Sequence, residues 1–183
     1  MANTSGRDTR LLKRYAALVT VFNLVLGRKL LTKGARSPAF TELGLVDLFM
    51  LGLSTHKLSR IATKAVVTSP FRAPFTRFQE YLGYGEANEE PKAEGGFQEA
   101  VGELVSCNYC ADPWIALGML YAFDGAPARA RLAMKFFSAV ALADFLHVSY
   151  EKTRTHENVL TLHEEKLERE ERETTRPRVR SRR

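Results

Sequence analysis

Long uninterrupted apolar sequence is what this chain lacks most. No stretch offers the roughly 18 consecutive apolar residues that mark a membrane-crossing helix by run length alone. Cysteine is scarce as well. The chain has two, Cys107 and Cys110, which is too few for a disulfide-framed secreted scaffold and points to a reducing compartment or to a special use of the pair. Catalytic signatures are missing. There is no nucleophile elbow, no phosphate-cradling glycine loop and no metalloprotease helix motif, so no catalytic residue is assigned and no cofactor is expected. The first apolar run is followed by Gly27-Arg28-Lys29 instead of a small-residue cleavage site, which argues against a cleaved signal and leaves a signal anchor or an interfacial helix.

Length and balance are ordinary. The chain has 183 residues, 45% of them hydrophobic, enough for one domain and a tail. The net charge of +6 favours an anionic partner, either nucleic acid or the lipid surface on the cytoplasmic side of a membrane. The basic residues are spread along the whole chain, which argues against nucleic acid as that partner.

Hydrophobic periodicity divides the chain. Residues 1–10 are polar and expected to be disordered. A helix is predicted over Leu11–Leu31, with Ala16, Val19, Phe22, Leu26 and Leu30 recurring at three and four. A Gly/Ser/Pro linker follows to residue 42. A second helix, Leu43–Lys64, has an apolar first half and a basic second half, where His56, Lys57, Arg60 and Lys64 share one arc. Pro70 and Pro74 forbid continued helix and bias Ser69 and Ala73 to extended geometry. Phe71, Phe75 and Phe78 alternate there with Arg72 and Arg77. The acidic, glycine-bearing stretch Glu80–Gly96 reads as a surface loop.

A short amphipathic helix is expected over Phe97–Cys107, with Glu99, Glu103 and Cys107 on one side. Asp112-Pro113 reads as the cap of a further helix, Trp114–Phe123. Asp124-Gly125-Ala126-Pro127 is a turn. Ala128–Glu151 is a long apolar helix carrying Asp144, His147 and Glu151 on one face and Lys135 on another. The tail, 151–183, is charged throughout and reads as a solvated helix with a basic end.

These elements predict an all-α, polytopic helical membrane protein. It has three or four membrane-associated helices, a cytosolic loop over about 65–106 and a charged cytosolic tail. The membrane domain is 43–150. Four segments, 15–27, 43–61, 113–123 and 128–150, satisfy the positive-inside rule with the N-terminus inside. Internal regions then hold four, six and ten basic residues, counting Lys57 and Arg60 with the internal loop, and external regions four and two. A three-span version leaves the first helix on the membrane surface and is disfavoured by the basic residues it puts outside.

Candidate polar or ligand-binding residues are His56, Lys57, Arg60, Arg72, Arg77, Glu103, Asp144 and His147. A basic stripe at a helix end suits a phosphate, a carboxylate or a lipid head group, and equally suits solvated cations leaving a membrane. Arg60, Arg72, Glu103 and Asp144 are expected to pair near one membrane surface, because charges in lipid need partners. Cys107 and Cys110 are weak metal or redox candidates. A closed zinc site needs four ligands, and neither a second Cys-x-x-Cys nor a His-x-x-x-His completes the set.

The ordered set HKLSR, VTSPFRAPFTRF, GELVSCNYCADPWIA and ADFLH resembles a bacterial family known as domain of unknown function thirteen-sixty. The resemblance covers about residues 43–150 and leaves out the first helix and the tail. It implies a multi-pass protein of the bacterial cytoplasmic membrane, with some members labelled sporulation proteins, and supplies no activity or site. The reading that follows is a membrane scaffold or partner-binding protein in contact with membrane lipids and an unknown protein partner. The alternatives are a membrane-embedded enzyme or ligand-binding protein using His, Asp and Cys, and a soluble basic nucleic-acid-binding protein.

Overall fold

The computed structural model describes residues 4–32, 34–92 and 96–175. Its elements are α1 (Thr4–Thr32), α2 (Pro38–Thr41), α3 (Leu45–Thr63), α4 (Ser69–Arg72), β1 (Thr76–Gly83), β2 (Glu86–Pro91), α5 (Phe97–Ser106), α6 (Asn108–Gly125) and α7 (Pro127–Thr175). The molecule is mostly helical. Two units are compact, Met1–Ala141 and Leu142–Arg183. The second consists, among the described residues, of the rest of α7.

Helix directions in the first unit can be followed through side-chain contacts. Phe22 meets Trp114 edge-on at 5.2 Å, the Tyr121 hydroxyl donates to the Val25 carbonyl at 2.8 Å, and Lys29 reaches Leu120 and Asp124. α1 and α6 therefore run parallel. On the other side, Arg131 contacts Glu42 and Asp47, and the Ser138 hydroxyl donates to the Met50 carbonyl at 2.8 Å. The start of α7 therefore runs parallel to α3. A small core of Ala39, Leu51, Phe123, Ala130 and Met134 joins α2, α3, α6 and α7 at one end.

Burial is inverted relative to a water-soluble bundle. Ser54 and Ser59 on α3 have no exposed surface, and Thr55, Thr63 and Ser138 are buried too. Three of these hydroxyls turn back onto α3 itself: Ser54 donates to Leu51, Ser59 to His56 and Thr63 to Ser59. Large apolar side chains point outward instead. Leu45 is 87% exposed, Leu48 58% and Phe49 64%, with Val19, Val21 and Leu24 on α1 and Leu132 and Phe136 on α7 also exposed. Soluble monomers rarely leave apolar surface of this extent uncovered. Among the described residues, two helices are long and apolar enough to cross a membrane, over Tyr15–Thr32 and Pro127–His163.

The all-α expectation needs correction between residues 65 and 106. In place of a loop there is an antiparallel hairpin, β1 paired with β2, followed directly by α5. The turn requires left-handed backbone at Gly83 (φ 87°), Tyr84 (φ 52°) and Gly85 (φ 74°), and glycine at two of these three positions makes it accessible. The hairpin also pairs with the segment leaving α3, through Val66 N–H to Gly85 O at 2.9 Å and Ala87 N–H to Lys64 O at 2.8 Å. Ser69 and Ala73 are helical, with φ/ψ of −51°/−41° and −49°/−31°, not extended. Pro70 lies in the first turn of α4, where its missing N–H has no intrahelical partner to lose.

Two helix starts also differ. α1 begins at Thr4, so 4–10 are helical and only 1–3 of the stretch expected to be disordered lie outside the described residues. α6 starts at Asn108, leaving Pro113 inside the helix instead of opening it. α7 continues unbroken from Pro127 through the tail to Thr175; the basic end beyond lies outside the described residues.

Candidate functional site

The strongest polar constellation sits where α3 ends. Helix ends leave carbonyls without partners, and here Arg72 supplies the missing donors. Its Nη1 donates to the Ala62 carbonyl at 2.9 Å and to Thr68 Oγ1 at 2.5 Å. Nη2 donates to the Ala65 carbonyl at 3.1 Å and to Glu89 Oε1 at 2.8 Å, and Nε to Glu89 Oε2 at 3.1 Å. All five guanidinium N–H groups are thus used. Thr76 adds a hydroxyl 2.6 Å from Glu89 Oε2. The Arg72 and Glu89 side chains are 3% and 2% exposed. Burial alone pushes the Glu89 carboxyl upward, but hydrogen bonds from Arg72, Ser69 and Thr76 and the Arg72 charge outweigh it and hold it below its ordinary value of 4.5.

Next to this knot, Arg60 forms a two-pronged pair with Glu86 on the strand, with Nη2 2.6 Å from each carboxylate oxygen and Nε 2.9 Å from Oε1. This pair is partly open to solvent. α5 closes the arrangement from the other side. Gly102 lies so close to the hairpin that a Cβ there would stand 2.6 Å from the Phe75 carbonyl oxygen and 3.1 Å from Pro91 Cβ. Gln98 donates to the Pro74 carbonyl at 2.7 Å.

Two more basic side chains, Lys29 and Arg131, are paired with carboxylates at the opposite end of the bundle. Lys29 and Asp124 are 2.6 Å apart with side chains 1% and 3% exposed. Lys29 also donates to the Leu120 carbonyl at 3.0 Å and lies over the Tyr121 ring. Ser37 and the Ala39 N–H donate to the other Asp124 oxygen, tying α1, α2 and α6 together. Arg131 bridges Glu42 and Asp47 and stacks on Phe123.

The residues singled out from sequence scatter accordingly. Arg72 is a buried tie, and Arg60 pairs with Glu86. His56 and Arg77 are exposed on α3 and β1, Lys57 is half-buried, and Glu103 lies half-buried on α5. Asp144 and His147 are exposed on the part of α7 that forms the second unit. Sequence reading missed the carboxylates Glu86, Glu89 and Asp124 and the buried Lys29. An available signal was the acidic run Glu86–Glu90 facing two arginines across a glycine-bounded turn.

At the start of α6, Cys107 is the N-cap residue and its Sγ accepts from the Cys110 N–H at 3.4 Å. Both thiols are free. Among the described residues no group of three His, Cys, Asp or Glu side chains is placed to hold a metal ion. The apolar groove between α2, α3 and α6, lined by Phe40, Leu43, Leu45, Leu48, Leu51 and Leu120, carries no convergent polar groups.

Residues 50–150 match the family model described as Protein of unknown function (DUF1360). The chain belongs to that family. The matched region takes in both arginine–carboxylate ties, the cysteine pair and Asp124, and leaves out Lys29 and Ser37. The DUF1360 description carries no activity. No curated protein and no solved structure matches the chain.

Proposed function

We propose that this DUF1360 chain is a multi-pass membrane protein that presents its hairpin and α5 as a scaffold for a protein partner at the cytoplasmic surface. One observation carries the reading: serine and threonine are buried between helices while leucine, valine and phenylalanine face outward. In water this arrangement exposes apolar surface at a cost of about 25 cal/mol per Å². In lipid it costs nothing, and small hydroxyl residues are what let membrane helices approach one another.

The helix directions support four segments. α1 and α6 run one way, α3 and the start of α7 the other, as alternate crossings require. Charges bound the apolar stretches: Asp47 and Lys57 on α3, and Asp112 and Asp124 on α6, stand 10 and 12 residues apart, roughly 15–18 Å at 1.5 Å per residue. That is shorter than a hydrocarbon core of about 30 Å, and the pairing of Asp124 with Lys29 lowers the cost of carrying charge at that depth. The exposed Phe78, Tyr81, Leu82 and Tyr84 on the hairpin are the surface offered to the partner. The charged groups at both ends are held in structural pairs, which favours a scaffold over an enzyme built on the same residues.

An alkaline carbonate wash of membranes tests this reading. The chain is expected to stay in the pellet, and Tyr81→Ser with Tyr84→Ser to lose a co-purifying protein while remaining membrane-bound. Release as a monodisperse soluble protein would overturn the membrane reading. Unchanged co-purification would overturn the role given to the hairpin.

A further inference from the structure

We propose that Cys107 and Cys110 form a dithiol–disulfide exchange site whose substrate is a disulfide-bearing thiol compound. Nothing in the proposed scaffold role calls for them, and the inference stands independently of that role.

Cysteine is a poor choice for helix capping, where serine, threonine, aspartate and asparagine serve better. It is also among the residue types most often buried, yet Cys110 is exposed beside Tyr109, itself 80% exposed. Two cysteines on one helical turn at an open surface therefore need an explanation other than packing. The geometry supplies one. Residues three apart at a helix start have neighbouring Cβ atoms, within reach of a disulfide after a small adjustment. The Cys110 N–H points at Cys107 Sγ, a hydrogen bond that strengthens when that sulfur carries charge.

The two thiols are not equivalent. Cys110 is packed on one side although open on the other; that partial burial, the Cys107 thiol and the Glu103 carboxylate together push its thiol up to about 11. Cys107, whose sulfur accepts the Cys110 N–H at the helix N-cap, is the attacking sulfur, and Cys110 is the resolving one. Cys107, as thiolate, attacks one sulfur of the substrate disulfide. A mixed disulfide forms and the first substrate thiolate leaves, taking up a proton. Cys110 then gives up its proton and attacks Cys107 Sγ, closing the Cys107–Cys110 disulfide and expelling the second substrate thiolate. The protein dithiol is oxidised by two electrons, and one disulfide is reduced to two thiols.

The test uses the full-length protein in mild detergent, equilibrated with mixtures of reduced and oxidised glutathione, acid-quenched and capped with a maleimide. The mass then counts thiols without ambiguity, because the chain has only two cysteines. The wild type is expected to pass from two thiols to none with no glutathione retained. Cys110→Ser, and separately Cys110→Ala, should hold one glutathione on Cys107. Cys107→Ser should slow the reaction with oxidised glutathione at least about tenfold. The proposal is overturned if the wild type accumulates a glutathione adduct, keeps both thiols in excess oxidised glutathione, or links two chains through a disulfide. Equal reactivity of Cys107→Ser overturns the assignment of the attacking sulfur.

Discussion

At the residue scale, the buried charged side chains Lys29, Arg72 and Glu89 act as ties between segments of the chain. Arg72 is the clearest case, since its donors go to two carbonyls at the end of α3, a threonine and a strand carboxylate. Arg72→Ala leaves Glu89 charged and buried without its partner, and loss of one member of such a pair costs about 3–5 kcal/mol. Glu89 also sets a pH dependence. Its folded pKa lies below its unfolded value near 4.5, so its contribution is present above that value and is lost as pH falls through the folded one. Thermal unfolding in detergent from about pH 6 down to about pH 3 should show the wild type losing stability that Glu89→Gln does not lose. Parallel pH profiles would refute this role for Glu89.

At the element scale, Gly102 sets how closely α5 packs on the hairpin. The atom its Cβ would meet is a backbone carbonyl oxygen, which cannot swing aside. Gly102→Ala should therefore destabilise the protein by about 1–3 kcal/mol through overpacking. Gly118→Ala, where nothing lies within 4 Å, should be neutral or slightly stabilising, because alanine favours helix. Limited proteolysis of the hairpin segment distinguishes them: only the first should become sensitive.

The same elements mark what the sequence could tell. α3 and α5 are found within about two residues of their expected bounds because a long apolar pattern dominates local preference. The hairpin escaped because β2, Glu-Ala-Asn-Glu-Glu-Pro, has no β-branched or aromatic residue and is held by contacts with Arg60, Arg72 and the chain leaving α3. Its identity as a strand comes from tertiary contacts, which composition does not encode. The start of α6 escaped for a different reason: Asp112-Pro113 imitates a helix opening, while the real cap is a cysteine.

For the whole molecule, the candidate site was half legible. Arg60 and Arg72 were identified as important from their setting, with Glu103 and Asp144 as the expected carboxylates, and the carboxylates they meet are Glu86 and Glu89 on the strand. The fold-level consequence concerns sidedness. In a background of Cys107→Ser and Cys110→Ser, a chain carrying Ala126→Cys should react with a membrane-impermeant maleimide on intact cells. The wild-type cysteines should react only after lysis. The reverse pattern would turn the orientation over, and labelling of neither position in open membranes would reject the four-segment topology.

The two deeply buried ion pairs differ in one further respect, the length of chain between their members. Arg72 and Glu89 are 17 residues apart, whereas Lys29 and Asp124 are 95 apart. During synthesis the first pair becomes available almost as soon as its arginine has emerged. In the proposed four-segment topology, the second leaves the lysine near the end of the first helix without its carboxylate until α6 has been made. A chain halted before Asp124 thus carries a lysine without the partner beside which it is buried in the finished fold. Lys29 in this way ties the seating of α1 to the arrival of α6.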